Sequence, residues 1–257
     1  MTDIDTSKPN AARIYDYMLG GSHNFEADRA AGEQLRKMVP SVQNVMRLNR
    51  WFMHGIVDRL AAEEFSCFLD LASGLPTEGY IHDLVPNAKV LYNDRDSVTV
   101  AYARDILGDN PNVRYLHSDI SEVEGILEAA DEFFQGERRI AVCFVGVAYF
   151  LADDILQKAL DRLYDWCAPG SQMALSWGLH TTDDPRVNDI LALYQRMGSP
   201  FYLRSEERIR EMLNRWEILP PGLQLLSEWV GVEHWSQADA NEQQIGDMCG
   251  VIVRKPA

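Results

Sequence analysis

Paired cysteines are missing from this chain. Its four cysteines, Cys67, Cys143, Cys167 and Cys249, form no Cys-x-x-Cys unit, and three lie in or beside apolar runs. That argues against a disulfide framework or a zinc site, so no metal is expected. Buried free thiols in a reducing compartment fit better. Long hydrophobic runs are also missing. None approaches the ~18 residues of a membrane span, and Met1 to Asn10 is polar with no apolar signal core. A cytoplasmic protein without a membrane partner is the expectation. Positive charge is scarce as well: 24 Lys and Arg stand against 39 Asp and Glu, a formal net charge of −15. Such a chain repels phosphate backbones, which argues against nucleic acid. The best basic clusters, Arg47 with Arg50 and Arg204 with Arg208 and Arg210, fall on helix-like stretches mixed with acids and read as solvated faces.

What is present is alternation. The 257 residues are 46% hydrophobic, enough for one large core. Residues 11–63 read as helices, with Ser41 a candidate cap for a long one carrying Val42, Met46, Phe52, Ile56 and Leu60 at helical spacing. Strand-like runs then fall at 66–70, 89–93, 113–116, 140–146, 172–177, 223–230 and 247–254. Helix-like stretches lie between most of them, at 77–85, 97–107, 121–134, 153–167, 185–197 and 205–216. This pattern predicts an α/β protein with a mostly parallel sheet and helices on both faces. The last two strands, joined by a polar segment, should pair antiparallel at one edge. No repeat or linker interrupts the chain, so residues 1–63 are expected to pack as a helical cap on a sheet domain spanning 64–257.

In an open parallel sheet, ligands bind beyond the carboxyl ends of the strands. The first strand ends in Asp70 and leads into Leu71-Ala72-Ser73-Gly74-Leu75-Pro76-Thr77, a turn of mostly small residues. The second ends on Asp94, 20 residues after Gly74, followed by Arg95. The third is followed by Ser118-Asp119-Ile120, and the fourth by Val145-Gly146-Val147-Ala148-Tyr149. Small residues let the backbone approach a ligand, and a carboxylate after the second strand can accept from ribose hydroxyls. Successive acids suit a cationic nucleoside better than a pyrophosphate. One acid can reach an ammonium, one the ribose, and one the adenine amino group. Asp70 and Asp119 could instead cap the helices that follow them.

These residues resemble the class I S-adenosylmethionine-dependent methyltransferases. More narrowly, they resemble an actinobacterial family of S-adenosyl methyltransferases of unknown substrate. The likeness rests on Ala12-Arg13-Ile14-Tyr15-Asp16-Tyr17 through Gly20-Gly21 to Asn24-Phe25, and on Leu69 to Thr77. It extends through Tyr92 to Asp96, Ser118-Asp119, Ala168 to Ser171 and Arg204-Ser205. It implies a Rossmann-like sheet of seven strands in the order 3-2-1-4-5-7-6, with strand 7 antiparallel and an amino-terminal helical lid. It also implies S-adenosyl-L-methionine as cofactor and S-adenosyl-L-homocysteine as product. The turn from Ala72 through Ser73 and Gly74 to Thr77 would lie under the methionine part. Asp94 would hold the ribose with Arg95 beside it. Ser118, Asp119 and Ile120 would meet the adenine, and Val145-Gly146 the sulfonium. In the lid, Arg13 could face the ligand carboxylate, Tyr17 or Tyr15 could line the acceptor pocket, and Gly20 with Asn24 could approach the ligand. Two departures stand out. The turn lacks the Gly-x-Gly-x-Gly of most class I enzymes, and Tyr149 stands where many relatives carry a histidine.

Tyr149, His23 and His180 are the candidate general bases. Trp51, Trp177 and Trp235 are candidate walls for an aromatic acceptor site, against the alternative that they fill the core. No Asn/Asp-Pro-Pro-Tyr follows the fourth strand, which leaves a small-molecule acceptor favoured by elimination. Two rival readings stay open. One is an S-adenosylmethionine-binding sensor or subunit without turnover. The other is a nicotinamide-dependent oxidoreductase, which the Leu75-Pro76 step fits poorly.

Overall fold

The structure is a computed structural model that describes residues 6–76, 79–180, 185–232 and 247–257. Three helices open the described chain: α1 (Ala11–Met18), α2 (Glu26–Met38) and α3 (Val42–Ala62). The side chain of Asn10 starts α1 by accepting from the backbone N–H groups of Ala12 and Arg13, which otherwise lack intrahelical partners. Ser41 makes no such bond at α3, so the expected cap there is absent. Alternation follows: β1 (Cys67–Asp70), α4 (Ile81–Leu84), β2 (Lys89–Asp94), α5 (Ser97–Leu107) and β3 (Val113–His117). After a 3₁₀ turn at Ile120–Glu122 come α6 (Val123–Phe133), β4 (Ala141–Phe144), a second 3₁₀ turn at Ala148–Phe150, α7 (Asp153–Trp166) and β5 (Gln172–Leu179). The chain finishes with α8 (Pro185–Arg196), α9 (Glu206–Met212), β6 (Glu217–Ile218), β7 (Gln224–Leu225), α10 (Leu226–Val230) and β8 (Asp247–Arg254).

The strands form one sheet in the order β3-β2-β1-β4-β5-β8-β6, with β7 also paired to β8. β1 to β5 run parallel, and β8 is antiparallel to β5 from Gln172↔Arg254 to Leu179↔Asp247. This is the expected order with its last strand numbered β8. The strand before it comes in two short pieces: Ile218 pairs with Val253 and Leu225 with Cys249. Pro220 and Pro221, which carry no N–H for a ladder, lie between them. Residues 223–230, expected as one strand, contribute only Gln224–Leu225 before turning into α10.

Every residue of β1 and β4 is buried, which explains why their sequences show apolar runs rather than alternation. Side chains still alternate between faces. Phe68, Val90, Cys143 and Ala174 pack against Phe52, Ile56 and Leu60 of α3. Leu69, Leu91, Val142 and Leu175 pack against α6, α7 and α9 through Ile126, Leu160 and Ile209. A third cluster joins Ile14, Leu35, Val42 and Met46 of the amino-terminal helices to Leu193 and Tyr194 of α8. The carboxyl-terminal half of α3 therefore belongs to the sheet core, and its amino-terminal half belongs to a cap that includes α8. All four cysteines are buried, and none of them forms a disulfide. Among the described residues, no helix is long and apolar enough to cross a membrane.

Candidate active site

Strand order reverses at β1, whose neighbours β2 and β4 lead the chain in opposite directions. A cavity of about 270 Å³ opens there, at the carboxyl ends of the strands. The expected residues Asp70, Ala72, Ser73, Gly74, Asp94, Arg95, Ser118, Asp119, Ile120, Val145, Gly146 and Tyr149 all line it. Arg13, Tyr17, Gly20, His23, Asn24 and His180 are not in the lining, and Thr77 lies outside the described residues.

The turn after β1 is tied to the next two strands. Asn93 is fully buried. Its side-chain oxygen accepts from the Ala72 N–H at 3.2 Å, and its amide donates to the Ser118 carbonyl at 3.0 Å. Ser73 N–H donates to the Asn93 carbonyl at 2.9 Å. The hydroxyls of Tyr80 and Tyr115 donate to the carbonyls of Ser73 and Gly74. Ala72 and Gly74 have φ of +48° and +67°, a backbone that glycine accepts freely and alanine only when its surroundings hold it. Asn93, Tyr80 and Tyr115 were not singled out from sequence. The Asn93-Asp94 pair was a signal, because an amide at a buried strand end must find partners.

Asp70 is only 3% exposed. Burial, reinforced by the nearby Asp94 and opposed by Arg50, pushes its carboxyl up to about 8. Asp94 accepts from the Gly74 N–H at 3.1 Å and the Asp96 N–H at 2.8 Å. Burial still raises it, to about 6, because those bonds offset only part of the desolvation. Asp119 caps the turn that follows it, one oxygen accepting from the Ser121 N–H at 2.8 Å, and it also faces the cavity.

The amino-terminal motif is built differently from the expectation. Arg13 is buried and fully engaged: it donates to Asp28 at 2.9 Å, to Asp96 at 3.0 Å and to the Lys8 carbonyl at 2.8 Å. It fastens α1 to α2 and to the start of α5. Arg50, read from sequence as part of a solvated face, lines the cavity together with Arg95. The Arg50 guanidinium lies 4.7 Å from the Tyr80 ring and 5.7 Å from the Tyr15 ring, and its Nη1 is buried without a hydrogen-bond partner. The Tyr17 hydroxyl donates to Glu33, away from the cavity. Gly20 is exposed, whereas Gly21 is packed so closely that a Cβ there would stand 2.0 Å from an Asp16 oxygen. The other Asp16 oxygen accepts from the His23 N–H and the Asn24 amide, both at 2.9 Å. Asn24 thus serves the lining residue Asp16. The His23 ring packs edge-on against Tyr102, 5.6 Å away.

After β4, Gly146 has φ +83°, and its N–H donates to Ser176 at 2.8 Å. A Cβ on Gly146 would stand 2.9 Å from the Asn49 amide nitrogen and 3.7 Å from the Tyr149 hydroxyl. Tyr149 stacks on Phe201 at 4.5 Å and meets Phe150 edge-on at 4.8 Å. Burial holds its phenol well above the ordinary tyrosine value, so it is protonated at neutral pH. Arg204, also first read as solvated, is buried. It donates to the Ala148 and Leu151 carbonyls and to Asp153, holding this loop in place. Among the described residues, no tryptophan lines the cavity. Trp177 is in the core, Trp51 is exposed at 38%, and Trp235 lies outside the described residues. Tyr15, Tyr149, Phe150, Tyr194 and Phe201 take that place.

Among the described residues, Asp16, Asn49, Arg50 and Ser118 each line the cavity and each hold a buried polar atom without a partner. Buried polar atoms normally have partners, so this concentration marks a polar site that a ligand completes. A guanidinium N–H, a hydroxyl and the three rim carboxylates suit an amino-acid tail, a ribose and an adenine.

The sheet order and the acids at its rim define a Rossmann-like, class I methyltransferase fold. The chain belongs to the S-adenosyl methyltransferase family, whose sequence model matches residues 1–255, and its cofactor is S-adenosylmethionine. A crystal structure of a candidate methyltransferase from Thermobifida fusca superposes with a TM-score of 0.87 at 29% identity, covering 98% of this chain and 97% of that one. A DUF574 family protein from Streptomyces avermitilis gives 0.86 at 27%, covering 98% and 99%. Magnesium protoporphyrin IX methyltransferase from Synechocystis, crystallised with S-adenosylmethionine, shares the fold at a TM-score of 0.52 and 12% identity over 99% of each chain. No curated protein sequence matches this chain.

Proposed function

We propose that this protein transfers the methyl group of S-adenosylmethionine to a small-molecule acceptor at the cavity beside β1, β2 and β4. The observation that carries the reading is the pair of buried acids, Asp70 and Asp94, flanking a turn whose backbone is fixed by Asn93, Tyr80 and Tyr115. In this reading Asp94 uses its remaining lone pairs for the ribose hydroxyls. Ser118, Asp119 and Ile120 meet the adenine, with Arg95 at the rim. Ala72 to Gly74 underlie the methionine part. Val145 and Gly146 border the reacting centre. Arg50 takes the ligand carboxylate in place of Arg13, and Asp70 takes the ammonium.

When bound, S-adenosylmethionine supplies a methyl group already activated by its sulfonium. The chain's own task is to orient the acceptor and keep water out, which can contribute about 7–11 kcal/mol. Tyr149, protonated and buried, is suited to donate a hydrogen bond rather than to remove a proton. His23 and His180 stand outside the cavity lining, which favours Tyr149 as the residue nearest the acceptor. The net charge of −15 supports a small molecule over nucleic acid, and the buried thiols suit a cytoplasmic setting.

Calorimetry with S-adenosylmethionine, S-adenosylhomocysteine and NAD tests this. Micromolar binding of the two adenosyl ligands supports it, and binding of NAD alone would overturn it in favour of an oxidoreductase. Adenosyl binding without turnover on any acceptor would favour the sensor reading.

A further inference from the structure

The cavity has two chemically distinct parts. Its ionisable carboxylate and guanidinium residues, Asp16, Arg50, Asp70, Asp94, Arg95 and Asp119, all come from strand ends, α1 or α3. The remaining part is bounded by α2, the first turns of α3, α8 and residues 199–203. Val42, Met46, Phe150, Ile190, Tyr194 and Phe201 form its walls, and among the described residues the charged group at its edge is Arg95, whose guanidinium donates to Ser199 at 3.4 Å. The aromatic walls are fixed against one another: Tyr149 stacks on Phe201, Phe150 meets Phe201 edge-on at 5.5 Å, and Tyr194 lies 5.3 Å from Phe201. At the junction with the polar part stands Asn49. It is 3% exposed, its amide nitrogen lies against Gly146, and its side-chain oxygen lacks a partner.

We infer that the methyl acceptor is an uncharged, ring-bearing hydrophobic molecule with one polar hydrogen. The ring lies in the apolar part, and the polar hydrogen is donated to the Asn49 oxygen. This rests on the proposed methyltransferase reading. The physical reasons are two. A charged acceptor would lose its hydration against those apolar and aromatic walls, which among the described residues carry no counter-charge of their own. A neutral one bearing an N–H or O–H would satisfy the buried amide oxygen that now has no donor. Aromatic walls at fixed orientation favour a flat ring over a flexible chain.

The test uses the full chain saturated with S-adenosylhomocysteine and three probes of one shape: 2-naphthol, 2-methoxynaphthalene and 2-naphthoate. Binding is followed by calorimetry at pH 7. The expected order is 2-naphthol first, 2-methoxynaphthalene roughly fivefold weaker for want of the donor, and 2-naphthoate at least about tenfold weaker than 2-naphthol because its charge is desolvated. In Asn49→Ala the gap between 2-naphthol and its methyl ether closes, while Ile190→Glu weakens both neutral probes. Equal or tighter binding of 2-naphthoate, or no saturable binding of 2-naphthol, overturns the inference on the unaltered protein alone. An undiminished naphthol-to-ether gap in folded Asn49→Ala overturns the role of Asn49. Failure of S-adenosylhomocysteine itself to bind would instead overturn the proposed function.

Discussion

Replacing Asp70 with asparagine should flatten the pH dependence of stability. In the folded, ligand-free protein Asp70 titrates near 8, against an ordinary value of 3.8. The folded state therefore holds this proton more tightly than the unfolded chain does. The stabilisation is complete below the unfolded value and is lost as pH rises toward 8, where the folded group also ionises and the loss stops. Each pH unit in that interval costs about 1.4 kcal/mol. Between pH 6 and pH 9 the protein should lose about 2–3 kcal/mol from this group alone, since only the first two of those units count. Asp94, at about 6, has given up most of its share by then, and Arg50 is charged throughout. Asp70→Asn keeps the shape and removes the titration, so subtracting its stability from that of the parent cancels every other group. Urea unfolding at pH 6 and pH 9, followed by far-UV circular dichroism, gives the difference. Identical pH slopes for the two proteins, or a steeper loss in the variant, would refute the assignment of a buried, neutral Asp70.

The same acid predicts proton release when ligand binds. An ammonium beside Asp70 would pull its carboxyl down from about 8, so S-adenosylhomocysteine binding at pH 7 should expel a proton. Calorimetry in buffers of different ionisation enthalpy measures it, and no release would remove that contact. Asp94→Ala should weaken S-adenosylhomocysteine binding by roughly 2–4 kcal/mol, the cost of two charge-assisted bonds, and unchanged affinity in a folded variant would exclude the ribose role. Arg50→Met should cost roughly 1.5–3 kcal/mol of the same binding, and no change would leave the ligand carboxylate without its partner. Gly146→Ala should lower unfolding free energy by about 1–2 kcal/mol, because φ is +83° there and a methyl would press on Asn49. A urea midpoint equal to that of the parent would show that the loop relaxes freely.

The rim of the site was legible because its signals are local. Asp70 with its small-residue turn, Asp94 at a strand end, and Ser118-Asp119 each follow an apolar run, and chain topology alone brings such ends together. The cap was legible only in part. Arg13 and Arg50 are both arginines on helices, and nothing along the chain says that Asp28 and Asp96 occupy the first and leave the second to the cavity. Likewise α8 carries an ordinary amphipathic stripe whose partner, α1 to α3, is set by packing more than a hundred residues away. The split of the penultimate strand follows from Pro220-Pro221, and Ser41 stays uncapped because it already lies in helical conformation, φ −77° and ψ −5°. A tryptophan's size suits a core as well as a wall, and burial decides for Trp177, which fills the core.

The two halves of the cavity are written in different stretches of the chain. Positions 70–146, with Asp16 and Arg50, shape the charged floor, while the greasy side depends on residues 187–203 meeting the first helices. On the proposed function, mutations in that second stretch would retune which compound is accepted while the methyl donor's seat stays unaltered. Chemical range can diversify within such a scaffold at little risk to the step that every member must perform.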